Sequence, residues 1–181
     1  KQLLATFGLA VPLGSVCAAD RAVETARKIG LPVTLKVSSA AIAHKTEVGG
    51  VALNLTSDDE VREAAARLSK LAPHLLVEEM VQGAVAELIV GLVRDPQFGL
   101  ALVLGSGGVL TELIKDSVTL LLPTTREEIV RALASLKAAK LVDGFRGKSG
   151  DRAAVVDAGE AVARFAAAHG PRIHELDINP L

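Results

Sequence analysis

Val33, Leu35 and Val37 alternate with Thr34, Lys36 and Ser38, the period-two spacing of a strand with one covered face. Similar short apolar stretches predict strands at 15–18, 51–55, 75–80, 85–92, 100–104, 118–122 and 172–178, with 85–92 and 100–104 as antiparallel neighbours joined through Asp95-Pro96. Helical spacing takes over elsewhere. Residues 1–8 read as the end of a helix closed by Gly8. Asp20 is placed to cap a helix with Ala22, Ala26 and Ile29 on one stripe, ended by Gly30 and Pro32. Ser57-Asp-Asp-Glu60 and Thr125-x-x-Glu128 are capping boxes, followed by Val61, Ala64, Ala65 and Leu68 and by Ile129, Leu133 and Leu136. Asp151 opens a last helix with Val155, Gly159, Val162 and Ala166 inward, closed by Gly170 and Pro171.

Strands and helices interleave in both halves, so the pattern predicts an α/β (α+β) chain. Gln82-Gly83 forms a natural hinge between a lobe at 1–81 and a lobe at 82–181. At 181 residues, 50% hydrophobic and 23% charged, the chain has ample core material. Its net charge of −1 and 2% aromatic content, with no Trp or Tyr, argue against stacking platforms for single-stranded nucleic acid. The single cysteine, Cys17, excludes an internal disulfide and a multi-cysteine metal site. No apolar run reaches the roughly 18 residues of a membrane span. The expectation is a cytoplasmic protein and, since the chain starts at Lys1, a portion of something longer.

Chemistry concentrates in a few places. Lys36 on its strand, the His44-Lys45 pair and the Gly49-Gly50 turn make a cradle for an anion; a strand edge with a solvated loop fits the pattern equally well. Glu175, Asp177 and Asn179 alternate with Leu176 and Ile178. One strand face therefore carries three oxygen-bearing side chains, either a site for Mg²⁺ or an ordinary solvated face. Glu87, alone in an apolar strand, is an edge gatekeeper or a group facing a cleft. His44 has an imidazole able to accept a phosphoryl group near neutral pH, or it makes one local hydrogen bond. Arg146 clamps a phosphate or pairs with an acid. His74 and His174 read as structural, and His169 suits the last turn of a helix.

Leu35-Lys36-Val37, Ile42 to Val51 (Ile-Ala-His-Lys-Thr-Glu-Val-Gly-Gly-Val), Leu76-Val-Glu-Glu-Met-Val81, Glu87-Leu-Ile-Val-Gly91, Arg94-Asp-Pro-Gln-Phe-Gly99, Gly105-Ser-Gly-Gly-Val109, Gly144-Phe-Arg-Gly147 and Asp177-Ile-Asn-Pro-Leu181 appear in the order found in one family. The chain resembles the ATP-grasp domain of the ADP-forming acyl-CoA synthetases of the acetate–CoA ligase type, relatives of the succinyl-CoA synthetase β subunit. The resemblance implies an ATP-grasp fold whose lobes hold ATP or ADP with Mg²⁺ in a cleft. It also implies a ligase that interconverts acyl-CoA, ADP and phosphate with free acid, CoA and ATP through phosphohistidine. By resemblance Lys36 binds the nucleotide phosphates, with Lys45 beside it, and Gly49 and Gly50 belong to the loop over them. Glu78, Glu79, Met80 and Val81 form the linker whose backbone reads the adenine edge, and Glu87 faces the nucleotide. His44 is the transient phosphoryl acceptor. Asn179 is a Mg²⁺ ligand, and Asp177 serves the metal and contacts the phosphohistidine-bearing loop.

The implied partner is a CoA-binding, phosphohistidine-bearing subunit or fused domain, which would handle acyl-CoA and the free acid. Two departures stand out. Family members continue past Asn-Pro-Leu to a further acidic ligand where this chain stops at Leu181, and the link from Lys70 to Leu75 is short. A second resemblance points to another class: similar domains serve as silent nucleotide-binding modules in protein-lysine acetyltransferase fusions.

Overall fold

Val33, Leu35 and Val37 are fully buried, as the alternation requires, and with Leu75 and Val77 of a neighbouring strand they floor one hydrophobic core. The computed structural model describes residues 1–39, 42, 45–46, 48–108, 115–145 and 147–181. These residues fold as two compact units, one formed by Pro12–Gln82 and the other by Gly83–Leu181 together with Lys1–Val11.

In the Pro12–Gln82 unit, β1 (Gly14–Ala18), β4 (His74–Glu79), β2 (Val33–Val37) and β3 (Val51–Leu55) lie in that order in one antiparallel sheet. Helices α2 (Ala22–Ile29) and α3 (Asp58–Leu68) bury Ala22, Ala26, Val61, Ala64, Ala65 and Leu68 in its core. Each fully buried Val or Leu contributes roughly 1.5–3 kcal/mol, so this face stays packed and the polar side chains of the same strands turn to the other. Asp20 does not cap α2. The chain first makes a 3-10 turn, Ala19–Arg21, and Arg21 takes the cap position without a side-chain bond. Ser57 caps α3 through the Glu60 N–H, but the Glu60 carboxylate accepts from the N–H and hydroxyl of Thr56 instead of closing the box on Ser57.

The other unit has an antiparallel sheet in the order β7 (Ser117–Leu121), β6 (Gly99–Ser106), β5 (Leu88–Asp95), β8 (Glu175–Ile178). Leu88, Val90, Leu92, Leu102 and Leu104 are buried on one face, most of them against α4 (Arg126–Ser135) and α6 (Arg152–His169), while α5 (Ala139–Val142) closes over Leu88. Gly159 of α6 has no side chain to keep Ile129 of α4 away. The capping box Thr125–Glu128 is complete. The last strand begins at Glu175 and not at 172, because Gly170–Arg172 makes a 3-10 turn, and the Arg94 guanidinium donates to the carbonyls of Gly170 and Ile173.

Helix α1 (Gln2–Ala5) and the residues after it belong to this second unit and not to the lobe at 1–81 where the pattern placed them. The Arg164 guanidinium donates to the Phe7 carbonyl at 2.9 Å, and the Phe7 ring meets Phe165 edge-on at 5.5 Å. Among the described residues no helix is long and apolar enough to cross a membrane.

Candidate functional site

The face of the first sheet turned away from its α2 and α3 core carries Lys36. With Val33, Leu35 and Val37 committed to the core, Thr34 and Lys36 turn outward, and Glu78 of β4 stands directly opposite Thr34. The Lys36 Nζ donates to Glu78 Oε2 at 2.8 Å, with the lysine side chain 31% exposed and Glu78 only 3% exposed. Lys36 is therefore a tethered cation and not a freely solvated strand lysine. The Thr34 hydroxyl is turned to Met80 Sδ at 3.1 Å. Around this pair the same face is apolar: Val16 pairs with Leu76, and Leu76 and Val51 pair with Lys36.

The linker after β4 is partly spent on the fold. Glu79 N–H donates to the Leu13 carbonyl at 2.8 Å and Met80 N–H to the Pro32 carbonyl at 3.1 Å, so these amides are not free to read a base edge. Glu78 points its carboxylate at Lys36. Val81 is 60% exposed, and its N–H has no hydrogen-bond partner among the described residues.

In the polar loop, Gly49 adopts φ +68°, and its N–H donates to the Thr46 carbonyl at 3.1 Å. Gly50 N–H donates to the Lys45 carbonyl at 2.7 Å, while its own carbonyl accepts from Val37 N–H at 2.9 Å. A Cβ on Gly50 would lie 2.8 Å from Val37 Cγ2, closer than side chains approach. This corrects the expectation of a glycine cradle presenting free amides: both N–H groups close the turn on itself, and the glycines supply a tight bend beside β2. Lys45 is half-buried and makes no ion pair among the described residues. His44, Glu47 and Arg146 lie outside the described residues.

The second unit presents an oxygen-rich face. Register pairs Gly91 with Asp177 and Val93 with Glu175, which puts Glu175, Asp177 and Asn179 on the side of the sheet away from its core. All three are exposed. Gly91 is required here, since a Cβ would lie 2.6 Å from the Leu176 carbonyl oxygen. Asn179 Oδ1 accepts from Gly108 N–H at 3.2 Å, and Gly107 N–H donates to the Glu87 carbonyl at 2.7 Å. The exposed Glu87 carboxylate occupies the space a Gly108 side chain would need. Glu87, Gly107, Gly108 and Asn179 thus form one cluster, with Asp177 on the same strand face.

Asp116 was not singled out by sequence. It is buried, accepts from the Ser106 hydroxyl at 2.6 Å, and also accepts from Lys137 N–H and Ala138 N–H at 2.8 and 2.9 Å. Burial pushes its carboxyl up, but the Ser106 hydroxyl and the two backbone N–H groups outweigh that and hold it below its ordinary value. Its backbone carbonyl accepts from Ser106 N–H at 2.9 Å, so it fixes the strand end from which Gly107 and Gly108 continue. The only local signal was one acid ahead of the alternating β7.

Among the described residues no three His, Cys, Asp or Glu side chains come together to hold a metal. The oxygens of Asp177 and Asn179 instead fit a hard cation that keeps most of its coordination for water and phosphate, which is how Mg²⁺ binds.

A family model described as an ATP-grasp domain matches residues 1–181. The chain is 37% identical over 188 residues to acetate–CoA ligase (ADP-forming) II of Archaeoglobus fulgidus, covering 100% of this chain and 27% of that protein. It is 34% identical over 191 residues to subunit beta of acetate–CoA ligase (ADP-forming) I of Pyrococcus furiosus, covering 100% of this chain and 82% of that subunit. Among solved structures it is similar to the dinucleotide-forming acetyl-coenzyme A synthetase 1 of Ca. Korarchaeum cryptofilum, with TM-score 0.87 and 36% identity over 99% of this chain and 81% of that one. That structure holds coenzyme A and Mg-AMPPCP, with its phosphohistidine segment pointing towards the nucleotide binding site. The chain spans only 27% of the length of the ligase from Archaeoglobus.

Proposed function

We propose, since the chain belongs to the ATP-grasp domain family, that it is the nucleotide-handling part of an ADP-forming acyl-CoA synthetase. The observation that carries this reading is the match along 82% of a ligase beta subunit at 34% identity. The remainder of such an enzyme, as a separate subunit or a fused domain, would bind CoA, acyl-CoA and the free acid and would carry the phosphohistidine.

In this reading ATP or ADP lies against the apolar surface around Val16, Val51 and Leu76, with Val81 N–H available to the base edge. Lys36 places a point charge on the phosphates, and Lys45 adds a second cation. A lysine suits a contact that must loosen after transfer. Asp177 and Asn179, with Glu87 beside them, supply oxygen ligands for Mg²⁺, which when bound neutralises phosphate charge. Catalysis of this kind rests on positioning and electrostatics. His44 serves as the relay: a nucleotide oxygen takes the phosphoryl group from the imidazole nitrogen, the N–P bond breaks, and neutral imidazole is left. Asp177 orients the incoming phosphohistidine segment.

The intact enzyme incubated with γ-labelled ATP should carry label on this chain, and His44→Ala should abolish it. Equal labelling of wild type and variant rules out the relay. Calorimetry with ADP tests the nucleotide site separately, where Lys36→Gln should weaken binding by about tenfold, the loss of one phosphate contact.

A further inference from the structure

We propose that Glu78 is a positioning residue acting through Lys36: its carboxylate holds the ammonium on the face of β2 turned away from the core and competes with phosphate for it, which limits how tightly nucleotide is retained. This rests on the reading above that Lys36 contacts the phosphates. A glutamate is almost never buried unless it is paired, yet Glu78 is 3% exposed on the face of the sheet opposite the one that α2 and α3 pack against. Its place is fixed from both sides. β4 is an inner strand paired with β1 and β2, and the residue opposite Glu78 on β1 is Gly14, where a Cβ would stand 3.4 Å from Glu78 Cγ. Thr34, opposite on β2, donates its hydroxyl to Met80 instead.

The two partners are unequally free. The carboxylate is enclosed, whereas the lysine side chain is 31% exposed. An ammonium has three donors, and Glu78 Oε2 takes one of them at 2.8 Å. An arriving phosphate therefore meets a cation whose charge is already shared with a fixed anion. Both anions draw on one ammonium and repel each other, so the pair binds phosphate less tightly than a bare lysine at the same place. The same carboxylate keeps the ammonium at its post when phosphate leaves.

Calorimetry with ADP and steady-state kinetics on the intact enzyme test this with Glu78→Gln, Lys36→Gln and the double variant. Glu78→Gln keeps an oxygen acceptor for Lys36 and removes the charge; it should tighten ADP by about tenfold and lower kcat together with KM as release slows. In the Lys36→Gln background the same change should alter ADP affinity by less than about twofold, because a residue acting through another loses its effect with it. Glu78→Asp, which retracts the carboxylate, should tighten ADP by a smaller factor and replaces Glu78→Gln if that variant does not fold. Weakened or unchanged ADP binding in a folded Glu78 variant overturns the proposal, as does equal tightening without Lys36. Wild type that fails to bind ADP overturns the nucleotide reading and this proposal together. Wild type that binds, is weakened by Lys36→Gln and is unmoved by Glu78→Gln overturns this proposal alone.

Discussion

Asp116 takes a hydroxyl from Ser106 and backbone N–H groups from Lys137 and Ala138, joining the end of β6 to the approach of α5. Replacing it with Asn leaves one acceptor oxygen where two served and turns an NH₂ toward donors. Asp116→Asn should cost about 1–3 kcal/mol in denaturant unfolding at neutral pH, the range for a buried acceptor lost from charged hydrogen bonds. The folded-state pKa is depressed below the ordinary 3.8, so this contribution is fully present above that value and lost as pH falls through the folded one. Wild type and variant should therefore converge in acid; a constant gap down to the unfolding limit would contradict the assignment. At this scale sequence carried identities better than partnerships. Lys36 was readable as an outward lysine from three alternating neighbours. Its bond to Glu78 spans 42 residues, and that of Asn179 to Gly108 spans 71; both depend on a strand register that no local pattern encodes.

Helix starts were the most legible elements, because a capping box closes within four residues. The Thr125–Glu128 box formed as read, whereas the Glu60 carboxylate found Thr56 one residue upstream. Strand ends were less so, since they depend on where a partner strand stops: β5 starts at Leu88 and β8 at Glu175. The glycines in these strands carry a sharper consequence. A methyl at Gly91 would press on the Leu176 carbonyl 2.6 Å away, with backbone on both sides of the clash. Gly91→Ala should cost about 1–3 kcal/mol, as overpacking does, by prising β8 from β5. Because β8 carries Asp177 and leads to Asn179, the variant should also lose Mg²⁺ dependence of ADP binding while Lys36 is untouched. Unchanged stability and unchanged metal dependence would show that the sheet absorbs the methyl.

The pattern along the chain assigned helices and strands to two bodies but put 1–11 in the wrong one, since an amphipathic end does not say which distant helix will receive it. Leu4, Phe7 and Leu9 pack with α6 and its neighbours more than 140 residues later. Removing 1–11 should therefore lower the melting temperature of the Gly83–Leu181 unit and expose its apolar surface to a fluorescent probe. A truncated protein with an unaltered melt would mean that this segment is dispensable cover.

The same arrangement makes Pro12–Gln82 an insertion into the other unit. During synthesis the inserted body has its full sequence as soon as Gln82 leaves the ribosome, and it can condense around Leu35 and Val77 at once. The surrounding body must wait for α6 and β8. Until they emerge, residues 1–11 lack the helix they dock on, so Leu4, Phe7 and Leu9 stay bare beside an inner module that is already finished.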